Sequence, residues 1–205
     1  MKRPDFIAAR HFPSPYNEQG ISRGWLPIGI DKAEAKKLMP EVVRVFEKYG
    51  VDTIISSDLP RGTQSAELIA DNMDPEPETE SYEALNTWDT GTKVAGKKES
   101  ETIPLRQKYI KNPEIAMPGG ESWQDFIDRF KPELEDIVER RKNGEEIAFI
   151  AHGHHLLAIP HLLKDEEVDA KKLPTLDEDY EPGHAFLFFI EGDTVRIECE
   201  ECEDD

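Results

Sequence analysis

Short apolar runs alternate along this chain with stripes of apolar residues that recur every three or four positions. The runs predict buried strands and the stripes predict amphipathic helices, because strand side chains alternate faces whereas helical neighbours lie three and four apart. Phe6-Ile7-Ala8-Ala9 opens the series and stops at Arg10-His11, with a proline-broken loop behind it. Leu38, Val42, Val45, Phe46 and Tyr49 mark a first long helix, entered through the capping pair Asp31 and Glu34 and closed at Gly50. Pro40 is expected to kink or interrupt it. A second strand, Thr53-Ile54-Ile55-Ser56-Ser57, runs into the polar loop Asp58-Leu59-Pro60-Arg61-Gly62, and a helix carrying Ala66, Ile69 and Met73 on one face follows.

Residues 74–79 alternate acid and proline and read as a connector, residues 82–85 as a third strand, and Asn86-Thr87-Trp88-Asp89-Thr90-Gly91 as the loop that closes it. Residues 92–120 show little periodicity. Ser122 with Asp125 caps a strong amphipathic helix whose stripe is Trp123, Phe126, Ile127, Phe130, Leu134, Ile137 and Val138. Ile147-Ala148-Phe149-Ile150-Ala151 is the clearest buried strand; it ends at His152-Gly153-His154-His155, ahead of an apolar helix over 156–163. A hairpin over 185–190 and 194–198, turning at Gly192-Asp193, closes the pattern. Strands alternating with helices predict an α/β fold: a doubly wound, mostly parallel sheet flanked by helices. The expectation is one domain over residues 1–205, with a lid or insertion at about 90–120 and an acidic C-terminal tail.

Composition narrows the classes. Hydrophobic residues at 37% and charged residues at 34% describe a globular chain on the polar side. No apolar run approaches the roughly 18 residues of a membrane span, nor the apolar core of a signal peptide, so a cytoplasmic protein is expected. Forty-four acidic against 25 basic residues give a formal charge of -19, which repels nucleic acid and anionic membranes, and neither is expected as a partner. The same field repels phosphorylated substrates at long range, so a phosphate site would need a local cluster of Arg and His. Cys199 and Cys202 form a C-x-x-C among glutamates that would raise their thiol pKa values, and the pair reads as inert.

In open α/β sheets, ligands bind outside the carboxyl ends of the strands. Arg10 with His11, Arg61, Asp89 and His152 each fall at or just past such an end, so one rim would gather two histidines, two arginines and a carboxylate. Arginine presents a fixed fork of donors suited to phosphate oxygens, and neutral imidazole is a nucleophile near pH 7. In the long loop over 14–30, Asn17, Arg23 and Trp25 are best able to touch a ligand. His154 and His155 beside His152 invite a metal reading, but three neighbouring residues on one turn make poor ligand geometry, and no metal or other cofactor is expected.

These residues resemble the histidine phosphatase superfamily, also called phosphoglycerate mutase-like. The matches are Arg10-His11 with Ser14 and Asn17 behind, Gly24-Trp25, Ser56-Ser57-Asp58-Leu59-Pro60-Arg61 leading into Gln64-Ser65-Ala66, Gly120-Glu121-Ser122, and His152-Gly153, in the family's order over most of the chain. The resemblance implies a metal-independent phosphatase acting on a phosphorylated small molecule or phosphoprotein. His11 would be the nucleophile that forms a phosphohistidine, and Arg10, Arg61 and His152 would clamp the phosphoryl oxygens. Ser14, Asn17, Gly153 and His154 would complete the substrate site. A mutase-type phosphotransferase, or a silent phosphate-binding module, are the alternatives. Thr87 occupies the family's glutamate position and cannot serve as the acid, so Asp89, two residues on, is the expected proton donor. The family's glycine after Arg-His is Phe12 here and its acidic residue is Pro13, which predicts a stiffer loop and a more apolar pocket.

Overall fold

In the computed structural model, which describes residues 2–168 and 180–199, the buried runs become the centre of a six-stranded sheet. β1 (Phe6–Arg10), β2 (Thr53–Ser57), β3 (Glu78–Tyr82) and β4 (Ile147–Ala151) run parallel, and the hairpin of β5 (Ala185–Glu191) and β6 (Thr194–Cys199) adds antiparallel to β1, giving the order β3-β2-β4-β1-β5-β6. Gly192, at a φ of 61°, opens the two-residue hairpin turn.

Both faces of the sheet are covered, which is why β1 and β4 are apolar at every position before the rim. Phe6, Ala8, Ile55, Phe149 and Ala151 point to one side, against α5 (Trp123–Lys142) and α6 (Gly153–Leu162). Ile7, Ala9, Ile54, Ala148 and Ile150 point to the other, against α2 (Lys32–Lys48) and α3 (Pro60–Ala70). α1 (Pro15–Glu18) is a single turn in the loop after β1. The two capping signals hold: the Asp31 carboxylate accepts from the amides of Ala33 and Glu34, and Ser122 and Asp125 each accept from the other's amide, at 3.0 and 3.1 Å.

Three local expectations are corrected. α2 runs through Pro40 without a break; Pro40 lies on the exposed face, where water can serve the carbonyl that loses its partner. The third strand is Glu78–Tyr82 rather than 82–85, and Glu83–Leu85 is a single 3-10 turn. As an edge strand with almost every residue exposed, β3 has no apolar alternation by which to be read. Within 92–120 lies α4 (Glu99–Ile110), whose Leu105, Tyr109 and Ile110 pack against the α5 side of the core. No helix among the described residues is long and apolar enough to cross a membrane. Cys199 ends β6, exposed, whereas Cys202 and the acidic tail lie outside the described residues.

Candidate active site

β4 lies between β1 and β2, so the rim residues that follow these strands become neighbours although they are far apart in the chain. Arg10 is in register with Ala151, the His11 amide donates to the Ala151 carbonyl at 3.0 Å, and the rings of His11 and His152 lie 5.0 Å apart. Arg61 enters from the first turn of α3 and is 1% exposed, donating to the carbonyls of Gly24 at 2.8 Å and Leu26 at 3.3 Å. Arg10 donates to the Tyr180 carbonyl. With its guanidinium fixed on backbone oxygens, each arginine is oriented before any ligand arrives.

These four side chains line a cleft, joined by Arg23 and by Gly153 and His154 of α6. Thr87, Trp88 and Thr90 stand across from them, and α4 contributes Glu99 and Arg106. Four arginines thus meet a single carboxylate in a chain of formal charge -19, so the local field opposes the global one.

The charge states follow from burial and from those arginines. His11 is held well below its ordinary pKa, chiefly by burial and then by Arg61, Arg23 and Arg10. The neutral ring donates from Nδ1 to the Phe12 carbonyl at 2.7 Å, which leaves the lone pair on Nε2. His152 is also pushed well down, by burial first and by Arg61 and His11 next. Its Nε2 lies 2.7 Å from the Ser57 hydroxyl, while Nδ1 is buried with no partner among the described residues. When Ser57 donates to Nε2, Nδ1 keeps the proton and can donate to a bound anion. Burial beside Arg23 and Arg10 pulls Arg61 down to about 9. His154 falls to about 3, through burial and then Arg106 and the other cleft arginines; its Nδ1 lies 3.0 Å from the Thr87 hydroxyl.

Arg10, His11, Arg61 and His152 of the rim set are therefore brought together, and Gly153 and His154, expected from the resemblance, line the same cleft. Asp89 is not. Its carboxylate accepts from the Gly91 amide at 2.9 Å, its own amide donates to Glu121 at 2.8 Å, and it does not line the cleft, because these bonds tie it to the Gly91–Glu121 side of its loop. Ser14 and Asn17 also stay outside: the Asn17 side-chain oxygen accepts from both the amide and the hydroxyl of Ser14, which closes α1 instead of facing a ligand. The pocket is not made apolar by Phe12, whose ring is buried among the α2-side core residues while its amide donates to Ser65. Trp25 is structural, its indole N–H donating to the Thr87 carbonyl at 2.6 Å.

Several residues that shape the site were given no role in it from the sequence. His155 is buried against Phe126, Phe130 and Phe149, and its Nδ1 accepts from the His152 amide at 3.2 Å; spacing of cap plus three is the clue that could have found it. Arg129 on α5 donates to the carbonyls of Ala84, Asn86 and Thr87 and pairs with both oxygens of Glu121. That side chain holds the Thr87–Trp88 loop in place. Gly120 packs beneath the same loop, where a Cβ would lie 2.3 Å from the Asp89 carbonyl oxygen. No group of three or more His, Cys, Asp or Glu suited to a metal occurs among the described residues.

Comparison with known proteins gives this geometry a context. Residues 6–178 match the sequence model of the Histidine phosphatase superfamily (branch 1). A 2,3-bisphosphoglycerate-dependent phosphoglycerate mutase of Methylobacterium sp. (strain 4-46) is 26% identical over 202 residues, covering 92% of each chain. Another, from Allorhizobium ampelinum, is 27% identical over 170 residues, covering 77% of this chain and 78% of its own. Among solved structures, a mycobacterial glucosyl-3-phosphoglycerate phosphatase superposes with a TM-score of 0.70 at 18% identity, covering 95% of this chain and 96% of that one. The alpha-ribazole phosphatase of Shigella flexneri does so with 0.71 at 15%, covering 95% and 94%. These structural likenesses establish the shared fold.

Proposed function

The chain belongs to the histidine phosphatase superfamily, and from that premise we propose that it is a metal-independent phosphomonoesterase working through a phosphohistidine on His11. The observation that carries this reading is the tautomer of His11: with Nδ1–H on the Phe12 carbonyl and the ring kept neutral, Nε2 offers its lone pair inside a ring of cations. Nε2 attacks phosphorus in line with the leaving oxygen. Arg10, Arg61 and the Nδ1–H of His152 hold the equatorial oxygens, where the transition state carries its charge, so the protein's contribution is positioning and electrostatics. The P–O bond breaks with its electron pair on the departing oxygen, and water then attacks the phosphohistidine and returns the pair to Nε2.

A phosphotransferase reading draws its support from the mutase relatives. The two separate in one experiment. Turnover of para-nitrophenyl phosphate in EDTA, with a mass increment of one phosphoryl group that survives alkali, is expected for the wild type. His11→Ala is expected to lose the adduct and at least about 10⁴-fold of the rate. Interconversion of 2- and 3-phosphoglycerate exceeding their hydrolysis would favour the phosphotransferase. Binding of phosphate with no adduct and no turnover at any pH would leave only a binding module.

A further inference from the structure

Expulsion of an alkoxide needs a proton at the moment the P–O bond breaks, so a phosphomonoesterase acting on alkyl esters requires an acid on the leaving-group side of its cleft. Thr87 has a hydroxyl too weakly acidic for this, and the Asp89 carboxylate is turned onto the Gly91 amide. Among the described residues that line the cleft there is one carboxyl group, Glu99, at the first position of α4.

We infer that Glu99 is the proton donor to the leaving group and the base that activates water afterwards, a step that rests on the phosphatase reading above. Its placement is fixed from two directions. The Glu99 amide donates to the Gly20 carbonyl at 2.8 Å, Ser22 donates to Lys97 at 2.9 Å and Gly96 to Ser22 at 2.8 Å, which ties the start of α4 to the loop that carries Arg23. Thr102 and Arg106 follow Glu99 at three and seven residues, so one face of the helix presents all three; Glu99 and Arg106 line the cleft, and the Thr102 hydroxyl meets Ser22 at 3.5 Å. The Glu99 side chain is 23% exposed, so water can recharge it.

Arg23 stands 4.0 Å from the Glu99 carboxylate. A phosphate dianion entering the cleft draws on Arg23, the cation beside the Glu99 carboxyl group. The carboxyl proton then passes to the leaving oxygen as that oxygen receives the P–O electron pair. Glu99, now a carboxylate, takes a proton from the water that attacks phosphorus while the P–N pair returns to His11, and the cycle closes with both groups in their starting states.

The test compares kcat/KM, which reports the first chemical step, for glycerol 2-phosphate and para-nitrophenyl phosphate in wild type, Glu99→Gln and Glu99→Asp. Nitrophenolate departs without a proton and glycerol does not. Glu99→Gln is expected to lose about 10²- to 10⁴-fold with glycerol phosphate and less than about tenfold with the nitrophenyl ester, with Glu99→Asp recovering part of the loss. Equal losses on both esters, no loss on either, or the same selective loss in Thr87→Val and not in Glu99→Gln would overturn the assignment. Thermal melts of all variants separate a folding defect from a chemical one. A wild type that hydrolyses neither ester and forms no phosphohistidine would remove the phosphatase reading, whereas an active wild type with an unselective Glu99→Gln would remove the acid alone.

Discussion

The two walls of the cleft are built by different physics. The wall carrying Arg10, His11, Arg61 and His152 grows from strands buried on both faces and from the start of α3, and its side chains sit one to four residues past the last strand residue or at it. The other wall, carrying Thr87, Trp88, Thr90, Glu99 and Arg106, places none of these residues on a strand or at a strand's end. It is held by Arg129 and Glu121, by the glycine contact at Gly120, and by the backbone bonds between residues 20–22 and 96–99. The sheet sets the first wall directly, whereas the second is set by one core residue, Trp88 packed on Trp123, and by a few hydrogen-bonded side chains. A fold built this way can hold phosphate chemistry constant in one place while the leaving-group side varies in another.

That contrast breaks first at Arg61. Arg61→Met removes a donor from the rigid wall and is expected to lower kcat by about 10²- to 10³-fold, measured by steady-state hydrolysis. Burial of this cation among others disfavours its charged form, so a bound anion relieves the strain. Inorganic phosphate should accordingly raise the melting temperature of the wild type and do so far less in Arg61→Met.

The softer wall is probed at Arg129. Arg129→Met strands three loop carbonyls and the Glu121 carboxylate, which are partly buried, and should destabilise the fold by about 2 kcal/mol in urea titrations. Turnover should fall about tenfold through displacement of Thr87 and Trp88, with phosphohistidine formation on His11 retained. An Arg129→Met variant that loses phosphate affinity as fully as Arg61→Met would erase the distinction between the walls.

Acid sensitivity spreads its effect over several groups. His11, His152, His154 and His155 all have folded pKa values below the roughly 6.5 of an unfolded histidine, with His154 near 3. Above about pH 7 both states are neutral and nothing changes. As pH falls below 6.5 the unfolded chain binds protons that the folded one refuses, so stability declines toward the folded pKa values, by up to about 1.4 kcal/mol per pH unit for each group. Denaturant midpoints at pH 7.5 and 5.0 measure the loss, and saturating phosphate should blunt it by screening the arginines.

How much was legible follows the same division. β1, β2 and β4, the caps at Asp31 and Ser122, and the rim set Arg10, His11, Arg61 and His152 could be read because burial imposes a period on the sequence and a strand end imposes a place. β3 was misplaced because an exposed edge carries no period. α4 was invisible because its apolar contacts, Leu105, Tyr109 and Ile110, crowd into its second half, while the face toward the cleft holds Glu99, Thr102 and Arg106 in place of a continuous apolar stripe. Asp89 was a reasonable choice from its spacing, but its carboxylate is taken up by the Gly91 amide and stays out of the cleft, a bond that spacing does not reveal.

The chain's own pattern determined the sheet, its two covered faces and the presence of a histidine between arginines at one rim, because those features depend on which residues leave water. Tertiary structure alone decided which carboxyl group shares the cleft, and that a helix remote in sequence forms one of its sides. Those outcomes rest on hydrogen bonds and charges between segments whose separation along the chain carries no record of their meeting.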